Sequence, residues 1–434
     1  MTEPLRLSPE EMRTLGYRAV DEVVRHLTTL RDRPVGRLPE RWVLEKRFDL
    51  PAPEGPAAAA GVLDEVVHEV LGAIVHLDHP RFLAYIPGPS TYVGAVADFL
   101  AAGFNVFAGD WRMGAGPAVV ERVTVGWLRE LCGLPDTAGG LFVSGGTMAN
   151  LVAVMTHAQK GDEVLLEAES HTFLNEAGGI AAVAGVFPRT ITGKLGYIAP
   201  EQLRATIRSP NVHYPPSRLL CLENTHNRAG GIPFGPAEIN ATCNAAHELG
   251  LVVHLDGARI FNAAVAMDVP AKAIVRECDS MMFCVSKGLS APVGSVLVGS
   301  QTFIDRARRF RKMVGGGMRQ AGVIAAAGVV ALKTMVNRLA EDHANARRLA
   351  EGLAAVPGLS VDLTRVRTNM VLLEVGDPLG SAAEFAARMK REGVLAFDVG
   401  RQTIRLVTHR HITQDDISRA LEAVRRAARQ TVAS

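Results

Sequence analysis

The fold and the chemistry of this chain are both indicated by one stretch, MMFCVSKGLSAP, at residues 281–292. It begins as an apolar run typical of a buried strand, and Lys287 follows that run, with the flexible Gly288 after it. A lysine held in apolar surroundings loses hydration, which favours its neutral amine. Such an amine can form an imine with an aldehyde; the alternative is a lysine that reaches solvent or pairs with a carboxylate.

Similar strand-like runs recur between about residues 60 and 310, where they alternate with helical segments. The predicted strands are GLFVS, DEVLLE, RLLCLEN, LVVHLD, SMMFCVS and GSVLVGS, and the clearest helices are TMANLVAVMTHAQ and PAEINATCNAAHELG. Strands that alternate with helices form largely parallel sheets covered by those helices. The sequence therefore predicts an α/β fold with a mainly parallel sheet in a large domain, residues 59–310.

The rest of the chain divides into a C-terminal domain and an N-terminal arm. Residues 311–434 are rich in helix but contain the strand-like runs TNMVLLEV and QTIRLVTH, which predicts a small α/β domain. In residues 1–58, a helix is predicted at 8–31, capped by Ser8 and followed by a linker rich in proline and alanine. This helix packs either on a partner subunit or on its own domain, and both alternatives remain open.

Composition excludes several classes of protein. The 434 residues include 47 basic and 45 acidic side chains, so no general charge argument favours nucleic acid or a membrane surface. The five cysteines lack the C-x-x-C spacing of a zinc site, and their odd number argues against a disulfide framework, which fits a reducing cytoplasm. The start does not read as a signal peptide, and the longest apolar run, 321–332, is too short to span a bilayer.

An aspartate follows the strand-like run that precedes Lys287 by about thirty residues. Asp256, in HLDGARI, ends that strand, and ligands bind at the carboxyl ends of parallel strands. Its carboxylate could keep the pyridinium nitrogen of a cofactor protonated. Arg259 could contact an oxygen on the same ring. The alternatives are an aspartate that caps the next helix and an arginine paired with a surface carboxylate.

The stretch SGGTMAN, residues 144–150, predicts a turn between a strand and a helix. The free backbone N–H groups of such a turn, together with the Thr147 hydroxyl, suit a phosphate at the helix N-terminus. Gly146 and Thr147 are therefore the predicted phosphate-binding residues, although many α/β turns share this pattern.

Two histidines follow strands in the same region. His171, in ESHTFLNEAGG, could stack on a cofactor ring or act as an acid or base, and His226, in CLENTHNRAGG, is the next candidate. Either histidine could equally be structural. No metal site is predicted.

Cations in the C-terminal part complete the set of candidates. Lys312 and Arg319, in RKMVGGGMRQAG, could reach a phosphate of a neighbouring subunit or belong to a solvated loop. Arg405, in QTIRLVTH, suits a bidentate grip on an amino-acid carboxylate. The order phosphate turn, histidine, aspartate, lysine and late arginine makes each assignment more plausible than it is alone, and together they predict pyridoxal 5'-phosphate (PLP) as the cofactor.

From about residue 141 to 434 the chain strongly resembles the low-specificity L-threonine aldolases, which are PLP enzymes of fold type I. The motifs that carry the resemblance are GTMAN, CLENTHNRAGG, HLDGARIFNAA, SKGLSAPVGSVLVG, RKMVGGGMRQAG and EDHANARRLAEGL. It implies these roles: Lys287 bound covalently to the cofactor, Asp256 at its pyridine nitrogen, Arg259 near its phenolic oxygen, His171 stacked on its ring, Gly146 and Thr147 on its phosphate, Lys312 and Arg319 reaching across a subunit interface, Arg405 on the substrate carboxylate and His226 near the substrate hydroxyl.

The first 140 residues depart from that family, because they contain no RSDT segment. Instead, the stretches at 79–111 and 120–135 resemble the group II amino-acid decarboxylases, which include the aromatic-type enzymes. That resemblance implies a substrate pocket lined by the AYIPGPS region, with Tyr85 and Pro87 as candidates. Those decarboxylases usually carry histidine before the cofactor lysine, whereas this chain has Ser286. The chain therefore looks like a hybrid.

The two resemblances imply different reactions at a shared cofactor. The bond that stands perpendicular to the cofactor ring is the one that breaks, so the hold on the carboxylate selects the reaction. A carboxylate held by Arg405 near the ring plane favours retro-aldol cleavage of a β-hydroxy-α-amino acid to glycine and an aldehyde, with His171, His226 or water as the base. An upright carboxylate in an apolar pocket favours decarboxylation.

Most of the site motifs belong to the aldolase half, so the aldolase is the main expectation and the decarboxylase is the first alternative. A PLP-fold protein without turnover is the second alternative. The resemblance also implies a homodimer or homotetramer with active sites at the subunit interface.

Overall fold

The computed structural model describes residues 6–89, 91–108, 111–131, 133 and 138–430. Within the decarboxylase-like stretches, residues 90, 109–110, 132 and 134–135 lie outside the described residues. The chain forms two sheets, one of seven strands and one of four.

The larger sheet contains the predicted strands and one that the sequence did not reveal. Its strands are β1 (Ala138–Val143), β2 (Glu163–Glu167), β3 (Phe187–Ile191), β4 (Ser217–Glu223), β5 (Val252–Asp256), β6 (Ser280–Cys284) and β7 (Ser295–Ser300), in the spatial order β1-β7-β6-β5-β4-β2-β3. Strands β6, β5, β4, β2 and β3 pair in parallel, and β7 runs antiparallel to β1 and β6. The prediction of a mainly parallel sheet is confirmed.

Helices cover this sheet and build the remainder of the chain. In chain order they are α1 (Pro9–Thr29), α2 (Arg41–Phe48), α3 (Ala59–Glu65), α4 (Tyr92–Gly103), α5 (Trp111–Leu131), α6 (Gly146–His157), α7 (His171–Leu174), α8 (Gly179–Ala182), α9 (Pro200–Thr206), α10 (Pro236–Glu248), α11 (Ile260–Met267), α12 (Ala271–Ile274), α13 (Gln301–Met313), α14 (Ala321–Met335), α15 (Leu339–Ala354), α16 (Ala382–Arg391) and α17 (Gln414–Arg429). Single turns of other helix types lie at Leu30–Asp32, Val66–Val70, Leu71–Ala73 and Asp377–Leu379. In the described part of the chain no single helix is long and apolar enough to cross a membrane, and only the bent pair α14 and α15 reaches that length and composition together.

The smaller sheet forms the core of the C-terminal part. Its strands β8 (Leu359–Ser360), β9 (Met370–Val375), β10 (Phe397–Asp398) and β11 (Thr403–Val407) are all antiparallel, in the order β10-β11-β9-β8. Leu83 joins this core from the N-terminal part, because its backbone N–H donates to Leu395 at 2.9 Å and its carbonyl accepts from Val407 at 2.9 Å. The decarboxylase-like segment thus extends the small sheet. Helix α13 crosses residue 310, and the domain limits at 58/59 and 310/311 remain a prediction.

The N-terminal arm forms the predicted helix α1, and Ser8 and Glu11 form its capping box. None of the residues of α1 is buried, although its last turn leads to Leu30, which is buried. Arg31 then donates to Asp416 of α17 at 2.6 Å. The end of the arm therefore packs on its own small domain, while the apolar stripe along α1 stays largely exposed.

The decarboxylase-like and aldolase-like parts meet in tight backbone contact between α5 and α14. A Cβ on Gly322 of α14 would lie 2.0 Å from the carbonyl oxygen of Pro117 in α5, so only glycine allows this approach. Arg311 of α13 donates to Glu121 of α5 and to the carbonyl of Phe142, both at 2.7 Å. The two parts are therefore packed as one structure.

We expect Gly322→Ala to lower the free energy of unfolding by about 1–3 kcal/mol, because α5 and α14 must separate to admit the methyl group. Gly328→Ala in the same helix is the matched control, since its Cβ would meet only the Val285 side chain, at 3.5 Å or more. Alanine favours helix at both positions, so the control should be neutral or stabilising. Equal urea midpoints for the two variants would show that the contact is not tight.

Candidate active site

Charged side chains converge at the carboxyl edge of the large sheet. Glu223 ends β4, Asp256 ends β5, and these two residues are direct neighbours in the parallel register. Lys287 follows the next strand, β6, after three residues, and the N–H of Gly257 bonds the carbonyl of Met282 at 2.9 Å. The edge where ligands bind in parallel sheets therefore carries the predicted aspartate and lysine.

Asp256 is held rigidly as a hydrogen-bond acceptor. Its side chain is only 4% exposed. Oδ2 accepts from Nδ2 of Asn150 at 2.8 Å, and Oδ1 accepts from the backbone N–H of Ala258 at 3.0 Å. These two donors fix the orientation of the carboxylate at the carboxyl edge of the sheet.

His171 lies beside this carboxylate with one ring nitrogen occupied. Its Nδ1 lies 2.9 Å from Oε1 of Glu176, which also accepts from Asn150 at 2.8 Å. The Glu176 hydrogen bond raises the pKa of His171, and the charge of Asp256 raises it further against the effect of burial. His171, Glu176 and Asp256 each have one possible metal-ligand atom within 4.8 Å of the other two. Asn150 already donates to both carboxylates, which accounts for their proximity.

Arg259 precedes α11 and is almost fully buried, with 7% exposed. Burial, with a smaller contribution from the nearby charge of Arg405, lowers its pKa to about 10. Among the residues that the structure describes, none accepts a hydrogen bond from its guanidinium. Burying a cation without such a partner costs free energy. This position therefore suits an anionic oxygen of a ligand.

Arg405 on β11 faces the same edge from the small domain. Its Nη1 donates to Oδ1 of Asn227 at 2.8 Å, and Nη2 donates to the carbonyl of Tyr85 at 3.4 Å. Its Nε is buried and, within the described residues, has no partner. Burial lowers the pKa of Arg405. One part of the guanidinium is thus anchored and another part is left for a ligand.

Glu223 accepts hydrogen bonds from two loops of the site, the loop of His171 and the loop of Asn227. Its Oε2 accepts from the backbone N–H of His171 at 2.6 Å, and Oε1 accepts from the backbone N–H of Asn227 at 2.7 Å. Burial raises the pKa of Glu223, while these two donors oppose that shift. The residue connects the His171 loop to the Asn227 loop, and Asn227 in turn holds Arg405.

His226 occupies a closed position. Its ring is fully buried, with Nε2 at 3.0 Å from Glu167 and Nδ1 accepting from the N–H of Ala229 at 3.2 Å. Gly196 packs against the ring so closely that a Cβ there would lie 2.2 Å from it. Burial alone would lower the pKa of His226, but Glu167 raises it above its ordinary value. Both nitrogens are engaged, so the predicted catalytic role of His226 remains a prediction that this geometry does not favour.

The predicted phosphate turn has the expected local structure. Strand β1 ends at Val143, and α6 begins at Gly146, so the first N–H groups of α6 are free. A Cβ on Gly146 would lie 2.8 Å from Met282, which explains the glycine, and Thr147 is exposed beside it. The helix dipole and these donors suit an anion.

Lys287 presents a free amine at this edge. Its side chain is partly buried, and in the described part of the chain its Nζ has neither a hydrogen-bond nor an ion-pair partner. Its backbone is fixed by two contacts: its carbonyl accepts from Ser290 at 2.9 Å, and Gly88 lies against the Ser286 carbonyl. Gly88 belongs to the decarboxylase-like segment, which therefore helps to position the lysine.

The other predicted residues are more peripheral. Pro87 is buried, whereas Tyr85 is 60% exposed and its ring lies 4.8 Å from that of Phe397. Lys312 and Arg319 are exposed, and the Arg319 guanidinium lies over the Phe107 ring at 5.2 Å. Within the described chain, no contact brings either cation to Lys287, so their reach into a neighbouring subunit remains a prediction.

Sequence reasoning missed four supporting residues, namely Asn150, Glu176, Glu223 and Asn227. Glu223 carried a usable signal, because it ends a buried strand just as Asp256 does. Asn150 lies inside the GTMAN motif, but its bonds to two carboxylates depend on how α6 packs on the sheet. No local pattern marks Glu176 or Asn227.

The chain matches the family model described as beta-eliminating lyase over residues 93–376, and it belongs to that family. It is 40% identical over 303 residues to low-specificity L-threonine aldolase 1 of Arabidopsis thaliana, a match that covers 69% of this chain and 85% of that relative. The resemblance of the C-terminal two thirds to threonine aldolases is thus confirmed.

Decarboxylase-like relatives are also found. The chain is 46% identical over 159 residues to the aromatic-L-amino-acid decarboxylase of Bacillus atrophaeus, which covers 37% of this chain and 33% of that protein. The chain is also similar in structure to Rhodiola rosea 4-hydroxyphenylacetaldehyde synthase, with a TM-score of 0.81 at 19% sequence identity. This structural match covers 98% of this chain and 99% of the synthase chain. The fold is that of the fold-type I PLP enzymes, as predicted, and it extends through the N-terminal part.

We expect Gly88→Ala to slow covalent capture of added PLP by Lys287 on the order of 100-fold, as a displacement of about 1 Å at a reacting group does. The new Cβ would lie 2.4 Å from the Ser286 carbonyl, so the lysine loop must move. Gly61→Ala is the control, because its Cβ meets nothing within 4 Å. The capture rate is followed by absorbance, and equal rates in both variants would contradict the role of Gly88.

Proposed function

We propose that the chain is a PLP-dependent aldehyde-lyase that cleaves the Cα–Cβ bond of L-threonine, L-allo-threonine or a related β-hydroxy-α-amino acid to glycine and an aldehyde. The observation that carries the proposal is the convergence of Lys287, Asp256 and Arg405 at one edge of the sheet. The relationship to threonine aldolases supports the choice of reaction.

The residues present fit PLP. Lys287 offers a free amine to the aldehyde, Asp256 a fixed carboxylate to the ring nitrogen, and the buried guanidinium of Arg259 an unsatisfied cation to the phenolic oxygen. The free N–H groups at Gly146 and the Thr147 hydroxyl suit the phosphate. Bound PLP acts as an electron sink for bonds at the substrate Cα.

Arg405 and Asn227 determine how the substrate is oriented. The guanidinium of Arg405 holds the substrate carboxylate, and Asn227 fixes the guanidinium through the 2.8 Å hydrogen bond. A carboxylate held in this way cannot turn freely into the orientation for loss of carbon dioxide. The Cα–Cβ bond is then the bond that can align for cleavage.

His171 is the base that the geometry favours for the proton of the β-hydroxyl group. Glu176 occupies Nδ1 and leaves Nε2, whereas both nitrogens of His226 are engaged. Only the neutral ring can accept a proton at Nε2, and Glu176 raises the pKa of His171. The neutral form of His171 therefore predominates only above a higher pH than for an ordinary histidine, and activity through this base rises with pH.

A decarboxylase is the second candidate. It is supported by the 46% identity over 159 residues to an aromatic-L-amino-acid decarboxylase and by the position of the AYIPGPS segment. The carbonyl of Tyr85 contacts Arg405, and Gly88 lies against the lysine loop. A segment in that position can alter the hold of Arg405 on the carboxylate.

A product assay separates the two candidates. We expect the PLP-loaded protein to release glycine and an aldehyde from L-threonine and L-phenylserine, and no carbon dioxide from an aromatic L-amino acid. Lys287→Ala should abolish all turnover, because no other residue supplies its amine, whereas Lys390→Ala, at an exposed position, should not. Carbon dioxide and an amine as the products would replace the aldolase by the decarboxylase, and turnover by Lys287→Ala would contradict both.

We also propose that two copies form a dimer through the region of α4 and α5. Large apolar side chains are exposed there: Phe99 is 70% exposed, Phe104 80% and Trp111 63%. Apolar exposure on this scale is typical of an interface. The ring of Phe107, over which the Arg319 guanidinium lies, belongs to the same segment. Arg319 and Lys312 would therefore face a partner's phosphate site.

We expect the double variant Phe99→Glu, Phe104→Glu to have about half the particle mass of the wild type, because four buried charges at a symmetric interface are not tolerated. Val212→Glu is the control, since Val212 is 93% exposed in a loop and should keep the wild-type mass. Light scattering after gel filtration gives the mass. A wild-type mass near the 46.4 kDa of one chain would rule out the dimer.

A further inference from the structure

A chain of hydrogen bonds runs from Asp256 into the apolar core behind it. Asn150 donates to Asp256 at 2.8 Å, and its Oδ1 lies 3.1 Å from Nε2 of His254. Nδ1 of His254 lies 2.8 Å from Oγ of Ser280, which in turn lies 2.7 Å from Nε2 of His157. We name Asn150, His254 and Ser280 the support chain of Asp256, with His157 as its outer neighbour.

The backbone explains why these residues meet. His254 and Asp256 are two residues apart on β5, so their side chains lie on the same face of the sheet. Ser280 begins β6 and is the register partner of His254. Asn150 and His157 are seven residues apart on α6, two turns along one face. One helix therefore docks on two strands through this chain.

The two carboxylates that accept from Asn150, at one end of the chain, indicate the direction of each hydrogen bond in it. Nδ2 of Asn150 donates to Asp256 and to Glu176, so its Oδ1 must accept from Nε2–H of His254. Burial lowers the pKa of His254 to about 3, so the ring is neutral and its Nδ1 carries no proton. Ser280 must then donate to Nδ1 of His254, and its oxygen accepts from His157.

Stability alone does not account for this arrangement. Asn150, His254 and Ser280 are each at most 2% exposed and lie among apolar side chains such as Met282. Polar groups buried in this way at best compensate their loss of hydration, and apolar residues of similar size often serve stability equally well. A single proton arrangement, by contrast, fixes the orientation of the Asn150 amide and hence the donor that faces Asp256.

We propose that Asn150, His254 and Ser280 are positioning residues that hold the Asp256 carboxylate aimed at the ring nitrogen of the cofactor. The proposal rests on PLP as the cofactor of the proposed function. Within it, Asn150 presents its N–H to Asp256, His254 holds the Asn150 amide in that orientation through Nε2–H, and Ser280 holds His254 in that tautomer through Nδ1. His157 lies beyond the step that holds the tautomer, because it contacts Ser280 and not His254 in this chain.

The test compares Ser280→Ala with His157→Phe. Ser280→Ala removes the partner of Nδ1 of His254 and leaves only the bond from Nε2 to Asn150, so the ring can adopt the other tautomer and the amide can turn its oxygen to Asp256. His157→Phe keeps the ring stack on Phe303, now at 4.4 Å, and leaves the Ser280 donor in place. Ser280→Thr restores the hydroxyl group and serves as the rescue.

Two readouts are taken on each full-length protein loaded with PLP labelled with ¹⁵N in the ring. We expect Ser280→Ala to bind PLP about 10–100-fold more weakly, the range for loss of a hydrogen bond to a charged group. The ring-nitrogen chemical shift should show loss of its proton at a lower pH than in the wild type. His157→Phe and Ser280→Thr should match the wild type in both readouts.

The outcomes distinguish this proposal from the proposed function. A wild-type protein that does not bind PLP removes the proposed function and this inference with it. Wild-type binding with an unchanged nitrogen signal in Ser280→Ala, or equal losses in Ser280→Ala and His157→Phe, overturns the support chain alone. If Ser280→Ala does not fold, Asn150→Ala is measured in the same way, and a wild-type nitrogen signal in that variant also overturns the proposal.

Discussion

The burial of carboxylates at one edge of the large sheet is the constraint on which the site depends. Glu167, Glu176, Glu223 and Asp256 all lie in the protein interior there. A buried carboxylate must be hydrogen-bonded or paired, and the donors that satisfy these four are the Asn150 amide, two histidines and backbone N–H groups of the adjoining loops. The loops that carry His171 and Asn227 are thereby fixed in place.

The cations near this edge are less fully satisfied than the carboxylates. Among the described residues, Arg259 and the partly buried Lys287 have no side-chain hydrogen-bond partner, and Nε of Arg405 is unpartnered. Unpaired buried cations such as Arg259 are costly, and this cost is offset when a ligand brings anionic groups. The site therefore combines acceptors that the protein satisfies with donors that, in the proposed function, bind a phosphorylated cofactor and a carboxylate substrate.

The decarboxylase-like part of the chain is integrated with this site. Leu83 extends the small sheet, Gly88 lies against the lysine loop, and Gly322 brings α14 into backbone contact with α5. In the proposed function, a substrate held by Arg405 meets a pocket wall from the first part of the chain. The match to the threonine aldolase covers 69% of this chain.

The sequence predicted the features that have strong local signals. The six buried strands have apolar runs, and Asp256 and Lys287 follow such runs directly. Strand β3 was missed because it lies at the sheet edge, is partly exposed and contains Pro188. Asn150, Glu176 and Asn227 were missed because their roles depend on the docking of α6 and on loop contacts. His226 was predicted from its place after a strand, but only the structure reveals that both of its nitrogens are engaged.

The central claim, that Lys287 is the residue that binds PLP, is tested most directly by borohydride reduction of the PLP-loaded protein followed by peptide mass spectrometry. Reduction converts an imine at a lysine into a stable secondary amine, so the modified residue can be identified. The account predicts a phosphopyridoxyl group on the peptide that contains Lys287 and on no other lysine. An unmodified Lys287, or a group attached to a different lysine, would contradict it.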